Sequence, residues 1–306
     1  MASTRRGDPV DGVLLLDKPS GITSNLALQK ARRLLSAAKA GHTGTLDPLA
    51  SGLLPLAFGE ATKFAADLLD ADKSYEATLR LGVTTTTGDA EGEVLETRPV
   101  AVTAADVERA LAAFVGTIEQ TPPMYSALKR DGRALYEYAR AGIEVERAPR
   151  RVTIGRLQLL AFDGATARIA VDCSKGTYVR VLAADIGARL GCGAHLTALR
   201  RTRVGPLSIE RCITLAALEA VAPAERRALL LPVDALLAGL PPVELDAQAA
   251  HRFGLGQRLA LGRLQRPGRV RVLGPGARLL GVAQVNDRGV LAPQRLVRLE
   301  VKGNGP

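Results

Sequence analysis

One acid stands in the middle of Gly41-His42-Thr43-Gly44-Thr45-Leu46-Asp47-Pro48-Leu49-Ala50-Ser51-Gly52. Asp47 is the only carboxylate of this stretch, an imidazole precedes it at His42, and Pro48 biases its backbone toward an extended conformation. A pre-positioned acid beside an imidazole is a small active site in outline, able to act as nucleophile or base. An Asp-Pro turn next to a core histidine is the competing reading of the same residues. Other chemistries lack their residues. There is no G-x-x-x-x-G-K-[ST] loop, no H-E-x-x-H and no G-x-S-x-G, and Gly254-Leu255-Gly256 and Gly274-Pro275-Gly276 both lack the third glycine of a dinucleotide fingerprint. Cys173, Cys192 and Cys212 are an odd set without C-x-x-C spacing, which argues against a disulfide framework and a zinc site and for a reducing compartment. The chemistry expected is therefore one that needs a carboxylate, no metal and no cofactor.

The acid must be held by something. Its stretch has neither helical nor alternating periodicity, and its glycines and prolines are costly inside regular elements, so it reads as an ordered loop feeding a buried strand at Leu53 to Phe58. Ahead of it, after a polar tail over 1–10 expected to be disordered, Gly12 to Pro19 reads as a buried strand. Thr23 or Ser24 then caps a helix to about Ala38, whose basic end leads into the loop. A short helix from Glu60 to Leu69 and an alternating strand from Asp72 to Gly82 follow, then a turn-rich loop from Thr84 to Glu93 and a helix opened by Thr103 and Asp106 and running to Val115. Tyr136 to Arg140 reads as a helix, Val152 to Phe162 and Ala165 to Cys173 as a hairpin around Asp163-Gly164, and Leu182 to Leu190 as a helix. If Tyr178 and Arg180 are extended, their spacing puts them on one face. Thr214 to Ala220 and Ala224 to Leu231 read as helical. After Leu240-Pro241-Pro242, strands at Arg269 to Leu273, Leu279 to Val285 and Leu296 to Val301 predict a small β-rich module.

With 306 residues, 47% of them hydrophobic, the chain can bury a substantial core, in one large domain plus a small one. The net charge is +10, carried by 33 arginines and 8 lysines, which favours an anionic partner such as nucleic acid. Aromatics are only 3%, which argues against broad base-stacking platforms. No apolar run approaches the ~20 residues needed to cross a bilayer, and Val13 to Leu16 is cut short by Asp17 and Lys18, so a cytoplasmic protein is expected.

The Gly41 to Gly52 stretch closely resembles the G-H-T-G-x-L-D-P-x-A-x-G catalytic loop of the TruB-type tRNA pseudouridine synthases. Further motifs of that family recur in order: D-K-P at Asp17 to Pro19, K-x-Y at Lys73 to Tyr75, a T-x-T-x-D-x-x-G-like segment around Asp89, a long match from Gln120 to Gly142, C-S-K-G-T-Y-[IV]-R at Cys173 to Arg180, and L-x-R-x-x-x-G at Leu199 to Gly205. The resemblance covers most of residues 11–205.

It implies an α+β fold: a mixed, mainly antiparallel sheet flanked by helices over 11–239, with an RNA-binding thumb inserted at about 120–151, and a PUA-like module over 240–306. It implies isomerisation of uridine-55 in the tRNA T-loop, with base flipping. Asp47 would be the nucleophile, or the base generating a glycal; Arg180 would pair with it; Tyr75 would pack against the uracil and is a candidate for handling the C5 proton. Substrate-binding roles would fall to His42 propping the vacated space, Lys18 supporting the tyrosine side of the pocket, Leu199 and Tyr178 at the base, and Asp89, Lys129 and Arg140 on the RNA. Asp89 would accept hydrogen bonds from base edges or orient arginine. The expected partner is the T-arm of tRNA, with no membrane, no obligate protein partner and a monomeric state. A guide-RNA-dependent synthase and a noncatalytic RNA-binding or chaperone protein are the alternatives.

Overall fold

The computed structural model of the chain describes residues 7–262 and 266–298. Its main strands are β1 (Gly12–Lys18), β2 (Ser51–Phe58), β3 (Lys73–Leu81), β4 (Gly116–Gln120), β5 (Arg150–Phe162), β6 (Thr166–Cys173) and β7 (Ala194–Val204). They lie in one 10-stranded sheet in the order β1-β2-β7-β3-β6-β5-β4, with Ile213–Thr214 outside β1. β2 pairs with β7, and β1 with Ile213–Thr214, in parallel; the other pairs are antiparallel. The fold is therefore α+β with the mixed, mainly antiparallel sheet expected.

Helices α1 (Ser24–Leu34), α2 (Ala104–Ala112) and α4 (Val179–Arg189) cover one face, while α3 (Leu135–Arg140) stands in the segment 120–151, where the thumb is expected. Ala27, Leu28 and Ala31 of α1, Val107 and Leu111 of α2, and Leu182, Ala183 and Ile186 of α4 pack on Leu14, Leu16, Leu54, Leu56, Leu79 and Ile169. The alternate residues Val13, Leu15 and Leu53 meet Phe64 and Leu68 of the 3₁₀ segment Gly59–Leu68 on the opposite face. β1 is thus buried on both faces, which is why its sequence is a continuous apolar run and not an alternation. Each fully buried leucine contributes about 1.5–3 kcal/mol.

α5 (Leu215–Ala220) precedes the second unit, in which α6 (Ala247–Gly254) packs Ala250 and Phe253 on a five-stranded sheet. That sheet orders β8 (Pro242–Glu244), β9 (Gly268–Gly274), β10 (Arg278–Val285), β11 (Val290–Leu296) and Leu259–Ala260. The module docks on the large domain through Val282, the Arg269–Asp67 ion pair and the bond from Lys63 Nζ to the Leu296 carbonyl at 3.2 Å.

Several expected boundaries move. The chain is held from Asp8 onward, whose N–H donates to the Ser36 carbonyl and whose carbonyl accepts from Ala38, and Val10 is buried; the tail expected over 1–10 is ordered over 7–10, and residues 1–6 lie outside the described residues. α1 stops at Leu34 because Ser36 turns left-handed (φ 52°) and the Arg32 side chain takes the Ala37 and Ala38 carbonyls. The helices expected at Glu60 to Leu69 and Ala224 to Leu231 are the 3₁₀ segments Gly59–Leu68 and Arg226–Leu229. The last strand is Val290–Leu296 and not Leu296 to Val301, part of which lies outside the described residues. Pro293 marks it as a poor strand in sequence, but the proline lies at a register shift, where the ladder is already interrupted. Helix α6 had no counterpart in the sequence reading.

Candidate active site

β2 and β7 pair only at Ser51↔Arg200 and Gly52↔Arg201, so the two strands part beyond this point, and the loop carrying Asp47 fills the gap. Gly52 makes the junction possible. A Cβ there would meet the Arg201 carbonyl oxygen at 2.3 Å, and its φ of +100° is open to glycine.

The loop is fastened from beneath. Ser24, in the first turn of α1, accepts from the Leu46 N–H at 2.8 Å and donates to the Leu46 carbonyl at 2.9 Å. Lys18, fully buried, donates to the carbonyls of Pro19 (2.9 Å), Ile22 (2.7 Å) and Pro48 (3.5 Å). Burial pulls its ammonium down to about 8, against the attraction of Asp47. Arg201, 1% exposed, donates from Nε to the Leu53 carbonyl at 2.8 Å and from Nη2 to the Gly44 carbonyl at 3.0 Å.

Arg180 meets the acid from above. α4 begins at Val179, so Arg180 lies in its first turn while Tyr178 caps it in extended conformation. The extended i, i+2 pair considered from sequence does not form, because the apolar residues from Val179 onward continue a helical face into the core. Both side chains nevertheless line one pocket. Arg180 Nη2 is 3.0 Å from Asp47 Oδ2 and Nη1 3.3 Å from Asp89 Oδ2, and the guanidinium also donates to the carbonyls of Tyr125 (2.7 Å) and Thr87 (3.3 Å). Asp89 is 3% exposed and is held by the Thr87 hydroxyl (2.5 Å) and the Glu91 N–H (3.1 Å). Removing one member of such a buried group strands the others at a cost of about 3–5 kcal/mol. Burial raises the Asp47 carboxyl above its ordinary range, Arg180 pulls it back, and Asp89 adds to the rise. Even so, 42% of the Asp47 side chain stays open, toward the cavity.

That cavity has two parts. An inner pocket of about 170 Å³ lies between Asp47, Arg180, Tyr75, Tyr178 and Leu199, closed on the thumb side by Ser126 and Ala127. An outer cleft of about 540 Å³, lined by Asn25, His42, Tyr136 and Arg140 among others, shares Asp47 and Arg180 with it. Burial and, after it, the Arg201 charge lower the His42 pKa, and its Nδ1 is buried without a hydrogen-bond partner among the described residues. Burial raises the phenols of Tyr75 and Tyr178.

Three family models match consecutive parts of the chain: the TruB family pseudouridylate synthase N-terminal domain at 32–179, the tRNA pseudouridylate synthase B C-terminal domain at 180–238, and the pseudouridine synthase II TruB C-terminal domain at 241–297. The tRNA pseudouridine synthase B of Aromatoleum aromaticum is 62% identical over 94% of this chain and 93% of its own length, and that of Burkholderia mallei 64% over 94% and 97%. The chain belongs to the TruB family of pseudouridine synthases. It is thus an enzyme, an isomerase. Among solved structures it resembles a Cbf5-Nop10-Gar1 complex (27% identity, TM-score 0.73, 93% of this chain and 84% of the other). It also resembles an H/ACA RNP bound to a substrate RNA containing 2'-deoxyuridine (25%, 0.71, 97% and 91%).

Against the family's motifs, the structure brings Asp47, Arg180, Tyr75, Tyr178 and Leu199 to one pocket and His42, Asp89 and Arg140 to the cleft beside it. Asp89 turns its carboxylate to Arg180, the orienting alternative of the two considered for it. Lys18 donates to the carbonyls of Pro19 and Ile22 in the turn that follows β1 and, at 3.5 Å, to that of Pro48, so its ammonium ties that turn to the acid loop. Lys129 stands exposed on the hairpin Lys129–Arg130/Arg133–Ala134 and is not among the residues lining either cavity. Sequence reasoning gave no role to Gln120, whose buried amide pairs with the backbone of Tyr178 on both sides, nor to Arg201. For Arg201 a signal existed, since its i, i+2 spacing from Leu199 on a strand puts the arginine on the pocket face.

Proposed function

We propose that this chain isomerises uridine-55 in the T-loop of tRNA to pseudouridine, with Asp47 acting on the ribose. The observation that carries the reading is that Asp47 is the only carboxylate among the residues lining the inner pocket and is paired with a buried arginine at 3.0 Å. A uracil flipped from the loop fits between Tyr75, Tyr178 and Leu199, whose apolar and aromatic walls offset its unstacking. Asp47 then either attacks C1′ as the C1′–N1 bond breaks, or takes a ribose proton to give a glycal. The freed uracil turns in place, C5 bonds to C1′, and the C5 proton leaves. Every atom of the uridine is retained apart from exchange of that proton, so the reaction consumes no redox partner. Arg180 keeps Asp47 ionised against the burial that raises its carboxyl. Tyr75 is the neighbouring group for the C5 proton, His42 holds open the space the base vacates, and Lys129 and Arg140 grip the RNA from the thumb.

The enzyme works in the cytoplasm as a monomer, without guide RNA or protein partner. In support, the relatives at 62–64% identity are named for tRNA, whereas the ribonucleoprotein structures stand at 25–27%. Tritium release from C5-labelled tRNA transcripts tests the reading. Release from the normal transcript and its loss when uridine-55 is changed to cytidine are expected. No release from either would return the chain to a binding or chaperone role, and release that needs added guide RNA would favour the guided relatives.

A further inference from the structure

Arg201 is among the largest fully buried side chains and forms no ion pair among the described residues. A buried guanidinium without a carboxylate is costly, so its bonds have to be worth making. They reach both ends of the acid loop. Gly44, which accepts from Nη2, lies shortly before Asp47, and Leu53, which accepts from Nε, lies shortly after it on β2. The rigid fork of the guanidinium therefore spans the loop's entry and exit. On the sheet, Arg201 is the direct partner of Tyr75 across β7 and β3, so the two side chains rise from facing positions.

We propose that Arg201 is a positioning residue that fixes the Asp47 loop and Tyr75 relative to each other, setting the distance between the group that acts on the ribose and the aromatic wall that holds the base. Its field reaches the same groups. Burial lowers Lys18 and His42 and the Arg201 charge adds to that lowering, while it opposes the rise that burial imposes on the Tyr75 phenol. This inference rests on Asp47 being the reacting acid. Because Arg201 lines neither the inner pocket nor the outer cleft, its removal is expected to act on the chemical step and to leave RNA binding alone.

Arg201→Lys keeps a charge and loses the fork. It is expected to melt cooperatively, to bind tRNA within about threefold of wild type, and to lose about 100-fold in kcat, the scale of a small misplacement of reacting groups. A cooperatively melting Arg201→Lys with kcat within about threefold of wild type overturns the proposal. Gly44→Ala tests it without touching the buried charge. The added Cβ meets Arg201 Nη1 at an ordinary 3.5 Å, but the φ of +71° strains the turn whose carbonyl the arginine holds. A kcat loss of about tenfold at unchanged KM is expected, and an unchanged kcat overturns the proposal even if the Arg201 variant fails to fold. Asp47→Asn runs as the control: turnover by that variant refutes the reading of Asp47, whereas an inactive Asp47→Asn beside a fully active Arg201→Lys refutes the role of Arg201 alone.

Discussion

The two sides of the pocket are built differently. The floor, from His42 to Gly52, is tied by buried donors on three separate elements: Lys18 at the end of β1, Ser24 on α1 and Arg201 on β7. The thumb above it is tied mostly to itself. Arg147 donates to the Pro122 carbonyl and Arg130 to that of Glu146, while Arg133 and Arg140 lie over the rings of Tyr138 and Tyr136 at 4.8 and 5.4 Å. Its links to the body run through Arg180, which holds the Tyr125 carbonyl, and through Gln120 against Tyr178. Exposed arginines of this kind add little stability and leave cationic groups free for phosphate. Under the proposed function the floor carries the chemistry and the thumb the grip, and Arg180 touches both.

Asp47→Asn gives the sharpest test of that division. Product formation should fall by more than about 10³-fold while tRNA affinity stays within about tenfold, a difference of ~1.4 kcal/mol, as read by single-turnover tritium release and filter binding. Arg180→Met comes next, with kcat reduced about 100-fold at neutral pH. Asp47 has to be ionised to act, and its carboxyl is already raised by burial; without the Arg180 charge it rises further, so the acidic limb of the pH–rate profile should move to higher pH. A limb that stays in place breaks the link between the pair and the chemistry.

On the thumb, Lys129→Ala and Arg140→Ala should each weaken binding of a T-arm hairpin by roughly three- to tenfold and reduce its salt slope by about 1, with kcat at saturation intact. If either lowered kcat instead, the separation of floor from grip would be lost. The smallest effect concerns Lys18. Its ammonium donates to three carbonyls, and as pH rises through about 8 it loses one of its protons, so kcat should decline on the alkaline side by roughly two- to threefold. The sign for stability is opposite: the lysine's pKa is lowered in the fold, so its burial opposes folding most at low pH, and that penalty shrinks as pH climbs from about 8 toward the ordinary value of 10.5.

Local patterns were legible wherever local physics decides them. The Thr23 cap of α1, the capping box of Thr103 with Asp106, the Asp163-Gly164 turn and the alternation of β3 each state their own geometry within a few residues. Legibility failed where a distant contact overrides propensity. α1 ends early because Arg32 and Asp8 claim the carbonyls and amides after it, and Pro293 is accepted in a strand because the ladder bulges there.

By itself the sequence determined which residue types stand ready for the chemistry: one acid in a glycine- and proline-bounded loop, an arginine after Tyr178, a tyrosine near the start of a strand, and a basic insertion. Only the tertiary structure decided how they act together. The parting of β2 from β7 opens the gap the loop fills, Asp89 is turned inward to the arginine, and Lys18 and Arg201 are buried beneath the acid, where they donate to backbone carbonyls. The reason is physical. The role of a charged side chain is set by what surrounds it after burial, and for these residues those surroundings come from segments far away in the chain.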